Sequence, residues 1–168
     1  MARGSPLVEG RGPKRFAYCV LRFAYDVRPA PRARRLAFSI SPPYYDSMPI
    51  VAVGTDIASV SRLRGVYERH PKRFLERHFT PEEIAYCLAK ADPMLSLAAR
   101  FAAKEAFQKC WPENHGWREV WVEMKGPRPA LNFAPRIAER MQREGWRAHV
   151  SLAHEHEHAT AVVVLEAL

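Results

Sequence analysis

Cysteine is nearly absent from this chain. Cys19, Cys87 and Cys110 are far apart, and no Cys-x-x-Cys spacing occurs. That excludes a disulfide framework and leads us to expect reduced thiols in a cytoplasmic protein. Long apolar runs are missing too: none approaches the roughly 18–20 residues that a membrane span needs. Residues 16–27 are moderately apolar, but Arg22 and Asp26 break them, so they lack the continuous apolar stretch of a secretory signal. The sequence has no P-loop, G-x-S-x-G elbow, dinucleotide fingerprint, internal repeat or low-complexity tract.

What is present is the composition of an ordinary soluble protein. The chain has 168 residues, 48% hydrophobic and 26% charged, enough to bury one sizeable core. The net charge of +8 suggests nucleic acid, but its distribution argues against that partner. Residues 1–47 hold nine of the 26 Lys/Arg and only three of the 18 acids; the rest of the chain is close to balanced. The first 47 residues also carry six of the 14 prolines and follow no helical or strand period. This basic, proline-rich extension reads as a disordered arm, an Arg-rich targeting segment, or translation upstream of a natural start at Met48.

From Met48 the texture changes. Residues 50–53 form a β-branched run ending at Gly54, which predicts a buried strand. A helix is expected over 59–69, with Val60, Leu63 and Tyr67 on one face and Arg62 and Arg69 on the other. Thr80-Pro-Glu-Glu83 has the order of a capping box and predicts a helix to about residue 90. Asp92-Pro93 interrupts the chain, and a longer helix follows over 94–110. Strands are expected at 119–125 and 130–133, a helix at 135–144 stopped by Gly145, and a closing hairpin of 147–154 with 158–165. The order β-α-α-α-β-β-α-β-β predicts a single α+β domain over residues 48–168, its mostly antiparallel sheet packed with helices.

The helix at 94–110 is apolar around almost its whole circumference, the pattern of a buried helix. It nevertheless carries Arg100, Lys104, Glu105 and Lys109, and charges near a core need partners or ligands. An exposed Glu105–Lys109 pair at i,i+4 would account for part of this. Asp56, just past the first strand, reads either as an N-cap or as one carboxylate of a Mg²⁺ site, with Glu105 as the second. His154, His156 and His158 alternate; they read as solvated residues at a hairpin tip or, less simply, as zinc ligands.

Three separated blocks resemble the holo-acyl-carrier-protein synthase type of 4′-phosphopantetheinyl transferase. Val53-Gly-Thr-Asp-Ile57 followed by Arg62 is similar to that family's G-x-D-x-x-x-x-x-R. Arg100-Phe-Ala-Ala-Lys-Glu-Ala-Phe-Gln-Lys109 is similar to R-F-A-x-K-E-A-x-x-K. His149-Val-Ser-Leu-Ala-His154, with Ala159 and a Val-rich strand after it, is similar to H-V-S-x-S-H…A. Ala153 stands where the family often has Ser, and His158 where Tyr is common. The resemblance begins at Met48 and implies the 4′-phosphopantetheinyl transferase-like fold. It also implies transfer of 4′-phosphopantetheine from coenzyme A to a serine of apo acyl carrier protein, for fatty acid biosynthesis. It implies Asp56 and Glu105 as Mg²⁺ ligands, with Glu105 a candidate base and Lys104 facing phosphate oxygens. Arg100, Lys109 and His154 would hold the nucleotide end of coenzyme A, and Arg62 and Arg69 would meet the acidic carrier. A homotrimer is implied in the same way.

Overall fold

The computed structural model describes residues 50–168; the expectations for residues 1–47 and for a start at Met48 lie outside the described residues. The first strand, β1, is Ile50–Ser59, and four helices follow it: α1 Val60–Arg69, α2 Pro71–His78, α3 Pro81–Leu88 and α4 Pro93–Cys110. Then come β2 Val120–Lys125, β3 Arg128–Phe133, α5 Pro135–Arg143, β4 Trp146–His154 and β5 His158–Ala167. The strands make two antiparallel sheets, one ordered β1-β5-β4 and the other the hairpin β2-β3. The α+β reading therefore holds.

The buried helix α4 lies against β1 and β5. Ala98, Ala102, Ala103 and Ala106 on α4 are fully buried, as are Ala159, Ala161, Val163 and Leu165 of β5. The alanines let helix and sheet approach closely. The tightest point is Gly54: a Cβ there would lie 1.9 Å from the Ala106 carbonyl oxygen.

Three expectations are corrected. β1 does not stop at Gly54 but continues to Ser59, because Gly54 is where α4 crosses the strand rather than a turn. Asp56 is consequently inside a strand and caps nothing; the N-cap of α1 is Ser59, whose hydroxyl accepts from the Arg62 N–H at 3.3 Å. An additional helix, α2, was not foreseen: it is short, opens with Pro71 at its first turn and buries only Phe74, so it leaves little apolar periodicity. The capping box of α3 is present as read, with Thr80 and Glu83 exchanging bonds. Gly145, at φ 65°, ends α5 as expected of a residue free of Cβ strain.

The other face of the main sheet is open. Val53, Ile57 and Val162 are 58%, 65% and 39% exposed and lie on the side away from α4.

Candidate active site

Side chains alternate along β1, so Gly54, Asp56 and Ala58 share the face that meets α4. Asp56 therefore points at the helix side of the sheet, where the last two turns of α4 deliver Glu105 and Lys109. Lys109 Nζ donates to the Thr55 carbonyl at 2.6 Å and to Asp56 Oδ1 at 2.9 Å. The alternative of a Glu105–Lys109 surface pair is thus replaced by a link between helix and strand. Glu105 is half-buried, and its carboxyl is held above the usual range, first by burial and then by the negative charge of Asp56; Lys109 and Arg62 oppose the shift. Asp56, Glu105, Lys109 and Arg62 thus form one electrostatic cluster between β1, α4 and α1.

Two carboxylates whose charges repel across a partly desolvated gap offer hard oxygen donors for a divalent cation. Among the described residues no three His, Cys, Asp or Glu side chains come together as a fuller ligand set. A pair of carboxylates is a donor set that Mg²⁺ can use, since that ion commonly takes one or two carboxylates and completes its shell with water and substrate phosphate. The zinc alternative at His154, His156 and His158 gains no such cluster; all three are exposed at or beside the β4-β5 turn.

Lys104 is not part of this cluster. Its side chain is fully buried and its Nζ donates to Glu83 Oε2 at 2.7 Å and to the Trp117 carbonyl at 2.9 Å. In this arrangement the ammonium is enclosed and its contacts are to protein acceptors.

Arg100 is also buried, 3% exposed, and its guanidinium stacks on Tyr86 with 4.2 Å from Cζ to the ring centroid. One terminal N–H reaches the Ser96 carbonyl at 3.3 Å, while Nε has no partner among the described residues. This guanidinium lines a cleft of about 970 Å³ between α3, α4 and the β2-β3 hairpin, together with Tyr86, Arg118, Trp121 and Asn132. The sequence reading missed Tyr86, Arg118 and Trp121. Trp121 carries the one available signal, a large aromatic at the half-buried position of an alternating strand.

Arg100 and Lys109 are nine residues apart on α4, which puts them on opposite sides of the helix and about 13 Å apart along its axis. One copy of the chain does not bring them together. His154 ends β4, paired with Ala159, and is exposed. Arg62 and Arg69 lie on α1; Arg62 is close enough to act on Glu105, whereas Arg69 lies in the last turn.

The family model of the 4′-phosphopantetheinyl transferase superfamily matches residues 52–164. The chain is 60% identical over 118 residues to a holo-[acyl-carrier-protein] synthase of Thermus thermophilus, covering 70% of this chain and 94% of that protein. The crystal structure of the synthase from Neisseria meningitidis matches with a TM-score of 0.64 at 28% identity, over 70% of this chain and 98% of that one. The synthase from Bacillus anthracis, in complex with CoA (3′,5′-ADP), matches with a TM-score of 0.59 at 26% identity, over 71% of this chain and 98% of that one. The fold that brings the two carboxylates together is the fold of these enzymes, and the chain belongs to the 4′-phosphopantetheinyl transferase superfamily.

Proposed function

We propose that this chain is a Mg²⁺-dependent holo-acyl-carrier-protein synthase that transfers 4′-phosphopantetheine from coenzyme A to a serine of apo acyl carrier protein. The observation that carries the reading is the Asp56–Glu105 pair, two carboxylates set against each other with Lys109 and Arg62 beside them. In the transfer, the serine oxygen bonds to the phosphorus that bears pantetheine. The bond from that phosphorus to the bridging oxygen breaks, and adenosine 3′,5′-bisphosphate leaves with the electron pair. Glu105 is the candidate to take the serine proton, on its position beside Asp56 on the sheet-facing side of α4. The chemistry that Mg²⁺, held by Asp56 and Glu105, supplies is neutralisation of charge on the pyrophosphate oxygens. Lys109 uses two of its three N–H donors on Thr55 and Asp56, which leaves one for a phosphate oxygen. Arg100, beside the cleft it lines, and His154, at the end of β4, are assigned to the nucleotide end of coenzyme A.

A homotrimer with sites between copies belongs to the same reading. Two observations support it: the exposed apolar face of β1 and β5, and the placement of Arg100 and Lys109 on opposite sides of α4. Residues 48–168 form the transferase domain in this reading, and residues 1–47 are a basic, proline-rich extension outside it. The reaction serves fatty acid biosynthesis in the cytoplasm.

The test is mass spectrometry of an intact apo carrier incubated with coenzyme A, Mg²⁺ and either the full chain or residues 48–168. Gain of one phosphopantetheine with both, lost in EDTA, is expected; no gain with a carrier that another synthase modifies refutes the reading. A second prediction concerns the carrier. Arg69→Glu should raise KM for the carrier at least about fivefold at low salt and leave KM for coenzyme A unchanged. Arg69 is the cleaner probe, since Arg62 also acts on Glu105. Equal effects on both substrates would remove Arg69 from the carrier surface.

A further inference from the structure

The most enclosed charges in the described residues are Glu83 and Lys104, with side-chain exposures of 1% and 0%. Glu83 gathers three donors. Its Oε2 accepts from the Thr80 N–H at 3.0 Å and from Lys104 Nζ at 2.7 Å, and its Oε1 accepts from the Val122 N–H at 3.0 Å. Lys104 adds the Trp117 carbonyl at 2.9 Å, and its ammonium lies 5.5 Å from the centre of the Phe79 ring. One ion pair thus ties the start of α3, the middle of α4, the approach to β2 and β2 itself. Burial pulls the Lys104 pKa down, and the Glu83 charge pushes back against that shift. Such a pair costs desolvation on both sides, and a plain apolar core would serve stability equally well. Its place directly beside Glu105 offers it a role besides stability.

That role lies one residue further along α4. Glu105 follows Lys104 directly, so fixing the azimuth and height of Lys104 fixes those of Glu105 relative to Asp56 on β1. We infer that Glu83 and Lys104 are positioning residues: they lock α4 against β2 and α3 so that Glu105 faces Asp56 at working distance. Their side chains are enclosed, at 1% and 0% exposure, and act through Glu105. The inference rests on the assignment of Asp56 and Glu105 to the transfer reaction.

The test is a mutant cycle of Lys104→Met, Glu83→Gln and the double variant. Melting temperature, kcat and KM for coenzyme A are read on the full chain. Lys104→Met alone strands the Glu83 carboxylate. It is expected to lower the melting temperature and to lower kcat about 10–100-fold, with KM for coenzyme A within about twofold, the signature of a displaced but uncontacted group. Adding Glu83→Gln removes the stranded charge but keeps an acceptor for only one of the Thr80 and Val122 N–H groups, so it should recover part of the kcat and melting temperature lost in Lys104→Met. Lys104 acting on the phosphate predicts the opposite: no recovery in the double variant, and an unperturbed melting temperature in Lys104→Met. That result overturns the inference. So does a lowered melting temperature with unchanged kcat per folded molecule, which would make the pair structural only. A wild-type chain that transfers nothing refutes the proposed function instead, a result that no behaviour of the variants imitates.

Discussion

Glu105→Gln is expected to abolish transfer, by about a thousandfold or more, and at the same time to make the metal-free protein harder to unfold at neutral pH. The first effect follows from removing both a metal donor and the candidate base, the latter alone contributing about 10²–10⁴-fold in typical enzymes. The second follows from the direction of the pKa shift. Burial and then Asp56 raise the folded-state pKa of Glu105 above its unfolded value. A carboxyl raised in this way favours folding while it is protonated. That stability is complete below the unfolded pKa, about 4.3, and is lost as pH rises through the folded pKa. At pH 7 the ionised group therefore works against the fold, and the neutral amide removes the penalty. Because Glu105 is only half-buried, the gain is modest, a few degrees at most. Thermal scans of both proteins from pH 4 to 8, without metal and with Mg²⁺, check it. The wild type should lose stability across the lower part of that range relative to the variant, and only the wild type should be stabilised by added Mg²⁺. A variant that keeps a tenth of the activity removes Glu105 from the reaction.

Gly54→Ala is expected to destabilise the domain severely, by about 3 kcal/mol or more, at or above the top of the usual range for overpacking. The added methyl would stand 1.9 Å from the Ala106 carbonyl oxygen and 3.3 Å from Cys110 Sγ. A flexible side chain could swing aside, but a carbonyl inside α4 can yield only if the helix or the strand moves. For a domain of this size the melting temperature should fall by about 10 °C. Activity should fall further than stability explains, because Asp56 is two residues beyond the point of contact and Glu105 is next to Ala106. Denaturant titration beside kcat separates the two losses, and a melting temperature within two degrees of wild type would mean that helix and strand are not as close as they stand here.

Much of the fold was legible in the sequence, because local chemistry writes it there. The capping box at Thr80, the all-round apolar helix over 94–110, the stop at Gly145 and the closing hairpin each rest on neighbours within a few residues. α2 escaped because eight residues with one buried side chain leave no period to read. β1 was cut short because a glycine demanded by a helix far downstream looks, in sequence, like a glycine demanded by a turn. The candidate site divides in the same way. The carboxylate pair could be named from motif blocks, since residue type and spacing identify it. The Lys104–Glu83 pair could not, since it joins residues 21 apart, and a capping Glu already has a local explanation.

By itself, then, the sequence determined the α+β class, most of the elements and the residue types able to carry the chemistry. Periodicity, caps and turns are short-range properties of a chain. Only the tertiary structure decided which charges face which. It set Lys109 on Asp56, enclosed Lys104 with Glu83, and left Arg100 in a cleft on the far side of α4. The physical reason is that a charge's role depends on burial and on partners brought from distant segments. Desolvation and pairing belong to the folded packing and leave no mark on residue spacing.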